Sequence, residues 1–218
     1  MADFDSLAYT GRSIVRLLNY WFAEQNPHPM GTTTSAVLIR TEDFKNDANN
    51  NDGSPLVPPA VSVFFYRVDV NRTMRAPWSA VGHAEGRAHL PLDLHFLLTP
   101  WAENAEYELR LLGRAMQCLE VHPILAGPLL DPSGSWAPND AIQICVAEIT
   151  TEEVMRTFDS LPVDFKLSVP YLARVIRISE QGARPAIETG RIEAALRPSV
   201  RSIDPPVAEP VDPEEVAP

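Results

Sequence analysis

The stretch LPLDLHFLLTPWAENAEYELRLLGRAMQCLEVHP, residues 90–123, decides the fold because it contains a strand, a turn and a helix. Alternate residues of its first part are apolar and would share one face of an extended chain: Leu90, Leu92, Leu94, Phe96 and Leu98. After Pro100, apolar residues recur at helical spacing and predict one buried stripe: Leu109, Leu112, Met116 and Leu119. The strand and the helix can cover each other, so this stretch predicts a scaffold rather than a reaction centre.

Working outward, the strands and helices predicted along the chain indicate an α/β (α+β) fold. Residues 3–25 form an amphipathic helix pattern, with Asp3 or Asp5 as the residue that caps its start. Its inward-facing residues would be Ile14, Leu17, Leu18 and Trp21. Thr150 and Glu153 have the spacing of a capping box, which predicts a second helix whose Val154, Phe158 and Leu161 face inward.

Four further strands are predicted, at residues 32–40, 61–70, 141–149 and 164–179. The second is apolar on both faces, as central strands are, with Phe64, Tyr66 and Val68 sharing one face. Pro170 has no N–H to donate and predicts a bulge or an edge position in the last strand. Residues 124–140 contain three prolines and predict a loop.

Composition divides the 218 residues into a globular domain at 1–180 and a C-terminal arm at 181–218. From Ile203 onward the chain has five acidic residues, five prolines and no basic residue. Such a segment buries too little apolar surface to offset its ordering entropy, so we expect the arm to be partly disordered when free.

The formal net charge of −11 argues against nucleic acid or a membrane surface as a partner. The N-terminus MADFDSLAYTG is acidic where a signal peptide is basic, which predicts a cytoplasmic protein. In that compartment Cys118 and Cys145 are expected to be buried thiols and not a disulfide. No nucleotide or cofactor motif occurs, so no cofactor is predicted.

Two groups of residues could carry chemistry. One is a set of three histidines spaced six residues apart, which would suit a metal site on an unbroken strand: His83, His89 and His95. Such a strand would be interrupted by Gly82, Gly86 and Pro91. Ordinary surface or core histidines are therefore favoured. Asp93 and His95 could form a base and its orienting carboxylate. No nucleophile motif accompanies them, so a structural hydrogen bond is favoured over a hydrolase.

Four arginines are candidate partner-binding residues. Arg110 and Arg114 lie one helical turn apart, with Glu106 four residues before Arg110, which is typical of a solvated helix face or of an inter-subunit salt bridge. Arg174 and Arg177 have an odd spacing, which places them on opposite faces of a regular strand.

Several segments together resemble the cap proteins, or tail and sheath terminators, of contractile injection systems of the antifeeding-prophage and Photorhabdus-virulence-cassette type. The segments that carry the resemblance are Phe65-Tyr66-Arg67-Val68, Asn71-Arg72, Leu90–Thr99, His122-Pro123 and Leu167–Tyr171. The resemblance covers roughly residues 5–180. The segment at 90–99 is the most specific, although Leu90-Pro91 replaces the double proline usual in the family.

The resemblance implies a non-enzymatic, tail-terminator-like protein, with a mixed β-sheet flanked by helices. Six copies would form a ring that contacts the inner tube protein and the sheath protein, ends the tube and fixes its length. The arm at 181–218 would add a strand to a sheath subunit. The chain would be assembled in the cytoplasm into a particle that is then released. Two other classes remain open, a soluble hydrolase that uses Asp93 and His95, and a monomeric adaptor.

Overall fold

The computed structural model describes residues 4–28, 31–45, 55–78 and 89–179. Within them, six strands form one sheet: β1 (Ser35–Ile39), β2 (Ala60–Val70), β3 (His89–Trp101), β4 (Ile124–Ala126), β5 (Ala141–Val146) and β6 (Val169–Ser179). The strand order is β1-β2-β3-β6-β5-β4. Only the β1–β2 pair is parallel among these neighbours, so the predicted mixed sheet is confirmed.

The helices of the described residues are α1 (Ser6–Glu24), α2 (Arg72–Arg75), α3 (Ala105–Val121) and α4 (Thr151–Asp159), and 3-10 turns cover Thr41–Lys45 and Gly127–Leu129. The capping box of α4 is formed as predicted. Asp5 precedes α1, but its side chain makes no capping hydrogen bond. Asp3 lies outside the described residues.

Helices pack on both faces of the sheet. On one face, α1 and α3 bury the alternating residues of β2 and β3 in the larger core, which includes Ile14, Leu18, Val63, Phe96 and Leu111. On the other face, α4 and the turn at Thr41–Lys45 cover a smaller core built from Ile39, Phe44, Phe64, Leu97, Val154 and Phe158. The chain therefore forms a three-layer arrangement with β3 and β6 at its centre.

The buried stripe of α3 differs from the predicted one. Leu112 and Leu119 are buried and Met116 packs against the core, but Leu109 is 58% exposed. Leu111, Ala115 and Cys118 complete the stripe instead, and none of them is exposed at all. Leu111, Ala115 and Cys118 are spaced four and then three residues apart, so they share one face of α3. Leu109 does not lie on that face and is turned toward solvent.

Register shifts correct two predictions about strand faces. Phe65 pairs with Phe96 but Arg67 pairs with His95, so β2 has one extra residue there. Because of this extra residue, Val68 faces the α1 side and does not share a face with Phe64. Between β3 and β6, Leu92 pairs with Ile176 and Leu94 with Ala173. Both of these β6 residues lie in the larger core although they are three apart.

The segment at 124–140, predicted as a loop, begins with the short strand β4. Its three prolines follow that strand. Leu125 of this strand is fully buried and pairs with Ile142 of β5. β4 is the last strand of the sheet on that side. Pro170 is not at an edge, because β6 pairs with both β3 and β5. Pro170 is the second residue of β6, and the extra residue of β6 comes only after Ala173, so the proline is not at the bulge.

The outer edge of β1 is partly covered by side chains from the same molecule. The Asn19 amide of α1 accepts a hydrogen bond from the Ala36 N–H at 2.8 Å and donates one to the Ala36 carbonyl at 3.0 Å. Four residues after Ala36, just beyond the end of β1, the Arg40 N–H donates to Asp43 Oδ2 at 2.9 Å. These contacts occupy backbone groups that another strand would otherwise bind.

No helix in the described parts of the chain is long and apolar enough to span a membrane. The arm at 181–218 lies outside the described residues, so its separation from the globular domain stays a prediction.

Candidate partner-binding site

A polar cleft lies on the sheet face away from α1 and α3, where β2, β3 and β6 run side by side. It is lined by Arg67, Asp69, Val70, Asn71, Arg72, Thr73, Asp93 and Arg174. The two register shifts shape it, because each places an extra residue beside β3. We call these residues the polar cleft.

One wall of the polar cleft is held together by Asp69. Its Oδ2 accepts hydrogen bonds from Arg67 Nη2 at 2.7 Å and pairs with His95 Nε2 at 3.1 Å. The hydrogen bond from Arg67 is the main reason why the pKa of Asp69 lies below its usual value. This carboxylate is therefore ionised at neutral pH and already matched by a cation.

Asp93 has a different partner. Asn71 Nδ2 donates to both of its carboxylate oxygens, at 3.2 and 3.0 Å. The Asn71 Oδ1 atom accepts from the Met74 N–H and caps α2. Asp93 and His95 therefore do not form the predicted hydrogen bond with each other, since the histidine binds Asp69 and the aspartate binds an amide.

Two of the four predicted arginines are occupied within the helical layer. Arg110 forms the expected pair with Glu106, at 2.8 Å. Arg114 lies against α1, where its guanidinium stacks 4.6 Å from the Trp21 ring and donates to the Trp21 carbonyl at 3.2 Å. Both side chains lie on the opposite side of the sheet from the polar cleft, and their role in partner binding stays a prediction.

Arg174 and Arg177 do not lie on opposite faces, so that prediction is wrong. Each follows a core residue of β6, because the register shift puts Ala173 and Ile176 on the same face. Arg177 donates to Asp140 Oδ1 at 2.8 Å and stacks 6.0 Å from the Trp78 ring. Arg174 enters the polar cleft, and its Nε donates to the neutral Gln143 Oε1 at 3.2 Å.

Sequence reasoning missed Arg67, Asp69 and Arg72 as site residues. A signal was present, since Arg67 and Asp69 are two apart on one strand and can share a face. The sequence could not show that β6 brings Arg174 to the same place.

The histidines and cysteines named from the sequence form neither a metal site nor a disulfide among the described residues. Within the described residues no cluster of three His, Cys, Asp or Glu could hold a metal ion, and His83 lies outside them. Cys118 and Cys145 are free thiols, the first buried and the second only half-buried. Burial raises the pKa of Cys118 to about 12.

An apolar groove beside α4 offers a second exposed surface. It is lined by Met155, Phe158, Leu161, Val163 and Phe165 together with Asp159 and Asp164. Met155 and Phe165 are about half exposed, at 47% and 49%. Phe165 meets Phe158 edge to face with ring centroids 5.4 Å apart, so part of the smaller core reaches the surface here.

Known proteins provide an independent comparison. A solved structure of the sheath/tube terminator of the extracellular contractile injection system PVC, in its extended state, has the same fold with a TM-score of 0.52 at 14% identity. The match covers 82% of this chain and 58% of that chain, so this chain spans little more than half of that protein. The anti-feeding prophage cap, a tube-terminating cap, gives a TM-score of 0.47 at 14% identity, covering 80% and 55%.

No curated protein matches the chain in sequence. The family described as the Pvc16 N-terminal domain matches residues 10–189. This match confirms the resemblance to contractile injection system caps, and the shared fold confirms the tail-terminator-like architecture. The chain belongs to the Pvc16 N-terminal domain family.

Proposed function

We propose that this chain caps a contractile injection particle. Six copies form a ring on the last layer of the inner tube, stop its growth and hold the end of the sheath. The observation that carries this proposal is the family match over residues 10–189. The terminator fold over 82% of the chain supports it.

The physical task of a cap is asymmetric. A growing tube presents the same binding surface at every layer, so subunits add without limit. Growth stops when a different protein binds that surface and does not present the same surface again. The partly covered edge of β1 supports this role, because Asn19 and Asp43 occupy backbone groups there that a further strand would need. The net charge of −11 would also repel further acidic subunits.

Electron microscopy of particles from cells that lack this chain tests the cap proposal. We expect tubes of uncontrolled length, or tubes without sheath, and normal particles once the gene is restored. Particles with normal tips and normal length in the deletion strain would overturn the proposal.

The proteins that resemble this chain are structural terminators, and we propose a non-enzymatic role here as well. Asp93 and His95 support it, because each is engaged by a different partner. The double substitution D93N/H95Q tests the hydrolase alternative. Particles capped normally by this variant would agree with a structural role, and a hydrolytic activity that the unsubstituted protein has and the variant lacks would contradict it.

We also propose that the chain is made in the cytoplasm and leaves the cell only as part of a particle. The adaptor alternative differs in oligomeric state, which light scattering on the purified protein with and without tube protein measures. Formation of a ring of six on the tube would support the cap, and a single copy bound per particle would support the adaptor.

A further inference from the structure

We propose that the polar cleft binds the carboxylates of an acidic segment in a partner protein, with Arg72 and Arg174 as its charged contacts. The inference deepens the proposed function, because a tube or sheath subunit would supply the segment. Its test uses the purified protein alone, so the two can fail separately.

The charges inside the polar cleft are not balanced. The charge of Asp69 is matched by Arg67 at 2.7 Å, and Asp93 accepts hydrogen bonds from the neutral Asn71 amide and keeps its charge. Arg72 is exposed and makes no hydrogen bond or ion pair with any described residue. The cleft therefore has three arginines and two aspartates, an excess of one positive charge.

Arg174 is the second open cation. Its Nε donates to the neutral Gln143 amide at 3.2 Å, and its two terminal nitrogens have no partner within the described part of the chain. The side chain is exposed at the edge of the cleft. A guanidinium fork of this kind binds a carboxylate through two parallel hydrogen bonds.

The other candidate arginines do not compete for this role. Arg110 and Arg177 each have a carboxylate within 2.8 Å. Arg114 is held by the Trp21 ring and carbonyl. Within the polar cleft, Arg72 and Arg174 are therefore the arginines that have no carboxylate partner among the described residues.

The chemistry of the occupant follows from the charges around the cleft. The net charge of −11 repels every anion at long range, and it repels the many charges of a phosphate backbone more strongly than one or two carboxylates. An acidic protein segment carries fewer charges and can place one or two carboxylates between Arg72 and Arg174. The Asn71 and Thr73 side chains of the lining offer further polar contacts.

Binding is measured by fluorescence anisotropy with a short labelled peptide in which Glu alternates with Ser, and with a matched peptide in which Gln replaces Glu. We expect saturable binding of the Glu peptide, weakened by added salt, and none of the Gln peptide. R72Q or R174Q should each weaken binding about threefold to fivefold, and the double variant about tenfold or more. R174K should recover part of the loss, since it keeps the charge without the fork.

R12Q is the matched control, since Arg12 is an exposed arginine of α1, on the opposite side of the sheet, and has no ion pair with a described residue. Its binding should equal that of the unsubstituted protein, and circular dichroism should show that all variants fold. Equal weakening by R12Q and R174Q would overturn the inference. It would also be overturned by equal binding of the two peptides, by the absence of binding, or by stronger binding of a single-stranded oligonucleotide than of the Glu peptide.

Discussion

At the scale of single residues, Asp69 organises the wall of the polar cleft, because Arg67 and His95 both contact one of its oxygens. The hydrogen bond from Arg67 lowers the pKa of this carboxyl. A carboxyl whose pKa is lower in the folded protein stabilises the fold above the unfolded pKa of about 3.9. That contribution is lost as the pH falls through the lower, folded pKa.

We predict that D69N lowers the free energy of unfolding at neutral pH by about 0.2–1 kcal/mol, the range of exposed ion pairs. The deficit should shrink as the pH falls through the acid range, because the unsubstituted carboxyl then becomes protonated. Urea unfolding at a series of pH values measures it. D164N is the control, since Asp164 is exposed and has no ion pair with a described residue. A deficit of the same size in acid and at neutral pH would contradict the prediction.

Cys118 allows a second test at this scale. It is completely buried, and burial raises the pKa of its thiol to about 12. In a C145S variant, which leaves Cys118 as the sole cysteine, the native protein should not react with a thiol reagent at mildly alkaline pH. Reaction should follow unfolding by denaturant. Rapid labelling of the native variant would show that α3 is packed less closely than its core suggests.

At the scale of elements, α4 depends on its first turn. Glu153 N donates to Thr150 Oγ1 at 3.2 Å, and Thr150 N donates to Glu153 Oε2 at 2.8 Å. T150A removes half of this capping box and should cost about 1 kcal/mol of stability in chemical denaturation. T151A changes the neighbouring exposed threonine and should cost less. Equal losses would show that the cap is not what stabilises this turn.

Elements with a strong period could be predicted from the sequence. The core residues of α1, β2 and β3 repeat at helical or strand spacing, and the capping box is local, so these predictions needed no partner strand. The extra residues in β2 and β6 could not be predicted, because a register shift is defined only against the strand opposite. Arg174 was therefore named from the sequence, but its meeting with Arg67 and Arg72 was not.

At the scale of the whole molecule, the globular domain and the arm at 181–218 should have separable tasks. We predict that a chain ending at residue 180 keeps the thermal stability of its core, because that core is built from the described residues up to β6. Sheath attachment should weaken, on the expectation from the sequence that the arm adds a strand to a sheath subunit. Cells that produce only the shortened chain should yield particles with loosened sheath ends in electron micrographs. Normally sheathed particles would show that the arm is a spacer.

The contact between Asn19 and Ala36 also bears on how the chain is made. Asn19 precedes Ala36 by 17 residues, so its helix leaves the ribosome before the strand that it shields. The strand thus emerges with its cover already synthesised, well before β2 becomes available as its neighbour. Many copies translated side by side are at risk of joining through such unfinished edges, and this timing shortens the period of risk.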